Sequence, residues 1–156
     1  MGNIDCQTHA ECFGQLFSDL LSLELMLRLC LLRKSSQESS MKNLEKLKKG
    51  DPVDENAVTN YDSLGDIIGK FNLAFDKTYW IDETRVVDLR NALAHGRIIS
   101  TKPYPMRIYK FNKPVEGKVK VLIAEEMTLD WFRKNIKFIS NEIDRIKKIY
   151  EGLKKS

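Results

Sequence analysis

From Phe132 onward, apolar residues recur at alternating steps of four and three: Phe132, Ile136, Ile139, Ile143, Ile146, Tyr150 and Leu153. Only an α-helix gathers such a series onto one seam, and a seam of three repeats must be covered. Packing against other helices of the same chain is the simpler cover, and an intermolecular coiled coil is the alternative. A second long helix is expected over residues 7–34. There Phe13, Phe17, Leu20, Leu27 and Leu31 share a stripe that includes Glu24, while Leu21, Leu25, Leu29 and Leu32 fill much of the remainder. A helix apolar nearly all round is expected to be central, packed on more than one side. Two such helices near the ends of a 156-residue chain point to one mainly α domain spanning residues 1–156.

The segments between them fill in that plan. Residues 50–61 read as a loop, rich in Gly, Pro, Asn and acids and without apolar period. Ser-rich residues 35–40 precede a short basic helix expected near residues 41–49. Asp62 or Ser63 is placed to cap a helix with Leu64, Ile67, Ile68, Phe71 and Leu73 inward. Another helix opens at Asp82, Glu83 and Thr84 and ends at Gly96, a residue suited to the position after a helix. After Pro103 and Pro105 the period changes to two, in residues 106–111 and 118–124, with Asn-Lys-Pro-Val-Glu-Gly between. A β-hairpin is expected over residues 105–125. The expected architecture is therefore a helical bundle of four to five helices with one inserted hairpin.

Composition excludes several classes. Apolar residues make up 42% and charged residues 31%, which does not fit wholesale disorder. The longest apolar stretch, residues 20–32, is too short to cross a bilayer and is broken by Glu24 and Arg28. Asp5, Glu11 and Asp19 stand where a secretory leader would be basic, so it is not read as one. Cys6, Cys12 and Cys30 form no metal-ligand spacing, and an odd count excludes a complete intrachain disulfide framework. The expectation is a reduced, cytoplasmic protein that needs no membrane, metal or cofactor. The net charge of +4 suits a phosphate backbone without demanding one.

The most informative stretch is Glu-Thr-Arg-Val-Val-Asp-Leu-Arg-Asn-Ala-Leu-Ala-His-Gly-Arg, residues 83–97. At 100° per residue Val86, Leu89 and Leu93 form a core stripe. On the opposite side run Val87, Arg90, Asn91, Ala94 and His95. A merely solvated face would more often carry Lys, Glu and Gln. Here it carries a fixed-charge donor, an amide and an imidazole, with a small residue between. Asn91 and His95, four apart, are within reach of a hydrogen bond that would select one imidazole tautomer. Arg90 offers a planar fork for phosphate oxygens. A surface arginine and a helix-end histidine favoured by the helix dipole account for the same residues without function.

Arg90-Asn91-x-x-x-His95, near the end of a helix in a small α-bundle, resembles the signature of HEPN domains. The longer string from Leu89 to Gly96, Leu-Arg-Asn-Ala-Leu-Ala-His-Gly, is similar to many bacterial members. These are mostly metal-independent endoribonucleases and their relatives in toxin–antitoxin, abortive-infection and RNA-guided phage-defence systems. The resemblance implies RNA as substrate, a homodimer that joins two histidines and two arginines in one cleft, and a possible antitoxin or regulatory partner. By the same resemblance, Arg90 would stabilise the phosphorane, His95 would transfer protons and Asn91 would orient His95. A non-catalytic HEPN module binding RNA, nucleotide or a partner protein is the alternative. HEPN toxins inactivated by nucleotidyl transfer carry a tyrosine two residues after the histidine; here that residue is Arg97, an auxiliary phosphate contact or a helix-end residue.

Other signals are weaker. Glu24 and Arg28 read most simply as a buried ion pair, with Glu24 as an auxiliary acid of the cleft the alternative. His9 lies beside Cys6 and Cys12, and a metal role for it is disfavoured. Trp80 and Trp131 read as partly buried anchors. Tyr104, Tyr109 and Phe111, near Lys102, Arg107 and Lys110, could stack on RNA bases, but a hairpin face packed on the bundle explains them more simply.

Overall fold

The computed structural model describes residues 6–35 and 46–153. It contains α1 (His9–Lys34), α2 (Leu64–Ala74), a 3-10 turn (Lys77–Tyr79), α3 (Glu83–His95), β1 (Arg97–Ile99), β2 (Arg107–Phe111), β3 (Val121–Glu126) and α4 (Leu129–Leu153). The described residues are mainly helical, with four helices and a three-stranded antiparallel sheet in the order β1-β2-β3. The basic helix expected near residues 41–49 falls mostly outside the described residues. Among the described residues no helix is long and apolar enough to cross a membrane.

The chain forms two compact units. The first comprises Met1–Leu20 and Thr84–Asn141, and the second Leu21–Glu83 and Glu142–Ser156. In the first, Cys12, Leu16 and Leu20 of α1, Val86, Ala92 and Leu93 of α3, Ile108 of β2 and Phe132, Ile136 and Ile139 of α4 are buried. The β2–β3 hairpin lies where the alternation places it. Its tip closes at Glu116 and Gly117, both at positive φ, between Val115 and Lys118, whose backbones exchange two hydrogen bonds. Positive φ at both central residues matches the twist of the flanking strands, and glycine takes one of them without steric cost. The expectation of a lone hairpin is corrected by β1. Only three residues long and directly following a helix, β1 has no alternation to betray it, yet Arg97, Ile98 and Ile99 pair with Tyr109, Ile108 and Arg107.

In the second unit, Ser63 caps α2 in a reciprocal box with Asp66. The Ser63 hydroxyl and backbone N–H both donate to Asp66 and hold its carboxyl below the usual value. Leu64, Ile67, Ile68 and Phe71 are buried as expected, whereas Leu73 is 89% exposed. Two residues beyond Phe71 is about 200° around the helix, so Leu73 leaves the stripe. Arg28 is buried beside Glu24 at 2.8 Å, and its remaining N–H groups donate to the carbonyls of Ala57 and Asp62 and to Asn60 Oδ1. One guanidinium thus ties down the end of a loop that buries no apolar side chain. The Asn72 side-chain amide pairs with both backbone groups of Ile81, at 2.9 and 3.0 Å.

Two further expectations are corrected. α1 is not apolar all round in its setting: Leu21 and Leu25 are exposed, and the buried stripe is Cys12, Leu16, Leu20, Leu23, Leu27 and Cys30. The seam of α4, by contrast, is buried through Ile146 within this chain, as its simpler reading expects. The cysteines are not all reduced. Cys6 and Cys12 form a disulfide across the start of α1, with Cα atoms 5.1 Å apart. An odd count rules out pairing all three, not pairing two.

Cys30 is the free thiol, buried in the second unit against the Ile146 carbonyl. Burial, opposed by the nearby Arg33 charge, pushes it from the usual 9.0 up to about 12. Above pH 9 the unfolded chain ionises first and binds fewer protons than the folded one, so stability is complete below that pH and falls toward pH 12. At pH 8.5, iodoacetamide should leave Cys30 unmodified in native protein and modify it in urea. Cys30→Ala should lessen the alkaline fall in the denaturation midpoint.

Candidate functional site

The first unit contains the residues singled out on α3. The helix turns Val86, Ala92 and Leu93 inward, while Leu89 is only half-buried. On its other side Val87, Arg90 and Asn91 are half-buried and Ala94 and His95 exposed. The periodicity therefore sorted the two faces correctly apart from Leu89. Arg90 Nη1 donates to Asn91 Oδ1 at 3.3 Å. This replaces the expected contact, since no hydrogen bond joins Asn91 to His95 among the described residues. Asn91 is turned toward the guanidinium rather than the imidazole. The pair forms a fork with both arginine charge and amide N–H groups available to an anion.

The end of α3 explains how His95 is presented. Gly96 donates to the Ala92 carbonyl at 2.7 Å, and its φ lies outside the left-handed region that Gly50 and Gly117 occupy. A Cβ there would run into that carbonyl oxygen and reach within 3.0 Å of the Ile108 side chain. Glycine is used for close approach of the helix end to β2, not for its φ. The chain then enters β1 at once, and Arg97 Nη1 donates back to the His95 carbonyl at 3.0 Å. His95 thus stands exposed at a helix–strand junction, with Arg97 folded against its backbone.

Glu24 belongs to the second unit, where Arg28 holds it; its partner is that guanidinium. Trp131 is half-buried and donates its indole N–H to Glu125, and Trp80 donates to the Phe75 carbonyl at 3.3 Å. Lys110 bonds Asp88 at 3.0 Å, joining the inner face of β2 to α3. Arg85 stacks on the Phe138 ring at 3.6 Å.

Of the cavities formed by described residues of this unit, two stand out, and neither is lined by Arg90, Asn91 or His95. One, of about 440 Å³, lies between the inner side of the sheet and helices α3 and α4, beside Asp88, Ile108 and Trp131. The other, of about 580 Å³, has Met106 and Met127 as apolar walls and His9, Asp130 and Arg133 as polar ones. The histidine of this second cavity packs edge-on against Phe132 at 6.1 Å. Sequence reasoning did not connect His9 to the start of α4, 120 residues away, because no spacing rule reports a long-range contact. Among the described residues no three His, Cys, Asp or Glu side chains gather as a metal site requires.

No family model matches the chain, and neither a curated protein nor a solved structure matches it.

Gly96 is the residue on which the presentation of His95 depends. Gly96→Ala should displace the α3–β1 junction and lower the thermal midpoint by several degrees, consistent with about 1–3 kcal/mol for overpacking. Gly69→Ala, within α2 and with open space at its Cβ, is the control and should leave the midpoint unchanged or raise it.

Proposed function

We propose that this chain is a metal-independent endoribonuclease of HEPN-like helical plan, acting as a toxin or defence effector. The observation that carries the reading is the exposed His95 one turn beyond the Arg90–Asn91 fork, on the side of α3 turned from the core. These residues contribute little to burial, and their chemical types match what cleavage of RNA by its own 2′-hydroxyl needs. That oxygen attacks phosphorus as a base takes its proton; the P–O5′ bond breaks as an acid protonates the leaving oxygen. The products are a 2′,3′-cyclic phosphate and a 5′-hydroxyl. Arg90 would hold the negative charge of the phosphorane, and Asn91, bonded to Arg90, would fix that guanidinium. RNA as substrate would place the action in the cytoplasm, where thiol pools would keep the Cys6–Cys12 pair reduced.

One imidazole cannot be base and acid in a single concerted step. A twofold homodimer, with the two His95 side chains facing across the axis, supplies both. The open setting of the site supports this reading, because a second protomer would wall it from water. Light scattering at micromolar concentration should show a dimer. A monomer at that concentration contradicts the composite site.

Cleavage of labelled tRNA and mRNA in EDTA tests the chemistry. His95→Ala should lower the rate by about 10² to 10⁴, and Arg90→Ala by about 10² to 10³, with near-normal melting temperatures because neither side chain fills the core. Arg90→Lys should rescue only in part, since the planar fork is lost. Activity that survives His95→Ala, or that vanishes on metal removal, overturns the mechanism. The absence of an Asn91–His95 hydrogen bond favours the second reading, a HEPN module that dimerises and binds RNA, nucleotide or a partner protein. Binding of RNA without cleavage would select it.

A further inference from the structure

The register of the sheet sorts its residues into two faces, and the outer one is not what a structural hairpin requires. On the inner face Ile108 is fully buried and Lys110 reaches Asp88 of α3. The cross-strand partners Arg97, Tyr109 and Ala124 therefore share the outer face with Ile99, Arg107 and Glu126, and with the pair Phe111 and Val121. The aromatic residues were expected to pack on the helices. Instead Tyr109 is half-exposed, and Phe111, Ile99 and Val121 are 42, 52 and 55% exposed. The Tyr109 and Phe111 rings lie nearly parallel, 14° apart in plane and 6.5 Å between centroids, and the Arg107 guanidinium sits 5.6 Å from the Tyr109 ring. A flat aromatic row left in water on a small sheet is a cost that folding alone does not explain.

Charge identifies what fits it. Residues 97–126 carry seven Lys/Arg and three Glu, a net of +4, equal to that of the entire chain. Lys110 is spent on Asp88. Arg97 and Arg107 stand on the outer face, while Lys102, Lys113, Lys118 and Lys120 are exposed in the two loops that border it. Aromatic planes with guanidinium groups beside them match stacked bases joined by phosphates, and they match neither an acidic peptide nor a duplex, whose bases are covered. The row also leads to the candidate site. Arg97 pairs with Tyr109 and holds the His95 carbonyl, so the His95 backbone lies within about 7 Å along the chain of the sheet position opposite Tyr109.

We propose that the outer face of the sheet is a docking platform for single-stranded RNA, with bases stacked on Tyr109 and Phe111 and phosphates held by Arg97 and Arg107. The inference rests on reading this chain as an RNA-acting protein but not on cleavage. It assigns the strand a direction of approach, across the sheet toward the end of α3. Unpaired RNA is the substrate class it selects.

Fluorescence anisotropy with a labelled twelve-nucleotide poly-uridine RNA, using the full chain bearing His95→Ala, tests the platform apart from the chemistry. Phe111→Ala and Tyr109→Ala should each weaken binding by about 5- to 100-fold, whereas Tyr109→Phe should keep it. Arg97→Glu and Arg107→Ala should weaken binding and flatten its dependence on salt. Phe111 and Arg97 are exposed, so their variants remain informative if Tyr109→Ala does not fold. Affinity unchanged in both Phe111→Ala and Arg97→Glu overturns the platform, as does tighter binding to a duplex of the same length. A dimer that Phe111→Ala dissociates while RNA affinity is retained assigns the face to a second copy and likewise overturns it. Wild-type protein that binds through this face and never cuts refutes the nuclease alone; cutting that is indifferent to these variants refutes the platform alone.

Discussion

The close approach of Gly96 to Ala92 and Ile108 is the contact on which the first unit turns. Because residue 96 has no side chain, α3 can end against β2 and the next residue can already be in a strand. β1 then pairs with β2, Ile108 is sealed beneath it, and the sheet has three strands instead of two. A hairpin by itself is marginal in water, and a third strand with a buried face gives it a support. The same junction sets His95 at the edge of the helix and Arg97 on the outer face of the sheet. A backbone constraint thus fixes where two of the candidate functional residues stand.

The second unit solves a different problem. Its long loop buries no apolar side chain, so burial does not hold it. A guanidinium buried in α1 holds it instead, through two backbone carbonyls and an asparagine oxygen, while Glu24 balances the charge. A buried arginine is tolerable only when its donors are used, and here they are. This leaves Glu24 with a structural task that accounts for an acid in an apolar helix. The Asn72–Ile81 pairing does similar work for the backbone ahead of α3.

The candidate residues of the first unit lie on surfaces rather than in its described cavities. Arg90, Asn91 and His95 are on the free side of α3; Tyr109, Phe111, Arg97 and Arg107 are on the free side of the sheet. Open surfaces of this kind work on large ligands that bring their own cover, such as a polynucleotide or a second protomer. An enclosed pocket for a small molecule would have gathered the same groups inward. Both described cavities also carry polar groups, His9, Asp130 and Arg133 in one and Arg85, Asp88, Glu125, Lys134 and Asn135 in the other.

Local information was enough for the four helices, the Ser63 cap, the hairpin and the division of α3 into a buried and an open side. Each of these depends on residues within a few positions of one another, where 3.6- and 2-residue periods and capping chemistry act. The sequence also placed Arg90, Asn91 and His95 on one side of a helix, because their spacing alone does so. It did not reveal β1, whose three residues become a strand only by pairing with residues eight to twelve positions away. Nor did it reveal that Asn91 faces Arg90, that Leu73 is outside, or that Cys6 and Cys12 close on each other. Alternation in β2 separated its two faces without saying which would be covered. Only packing against α3 decided that Ile108 and Lys110 go inward, leaving Tyr109 and Phe111 to the solvent, because a strand shows one face to whatever lies beneath it and the rest of the chain determines what that is.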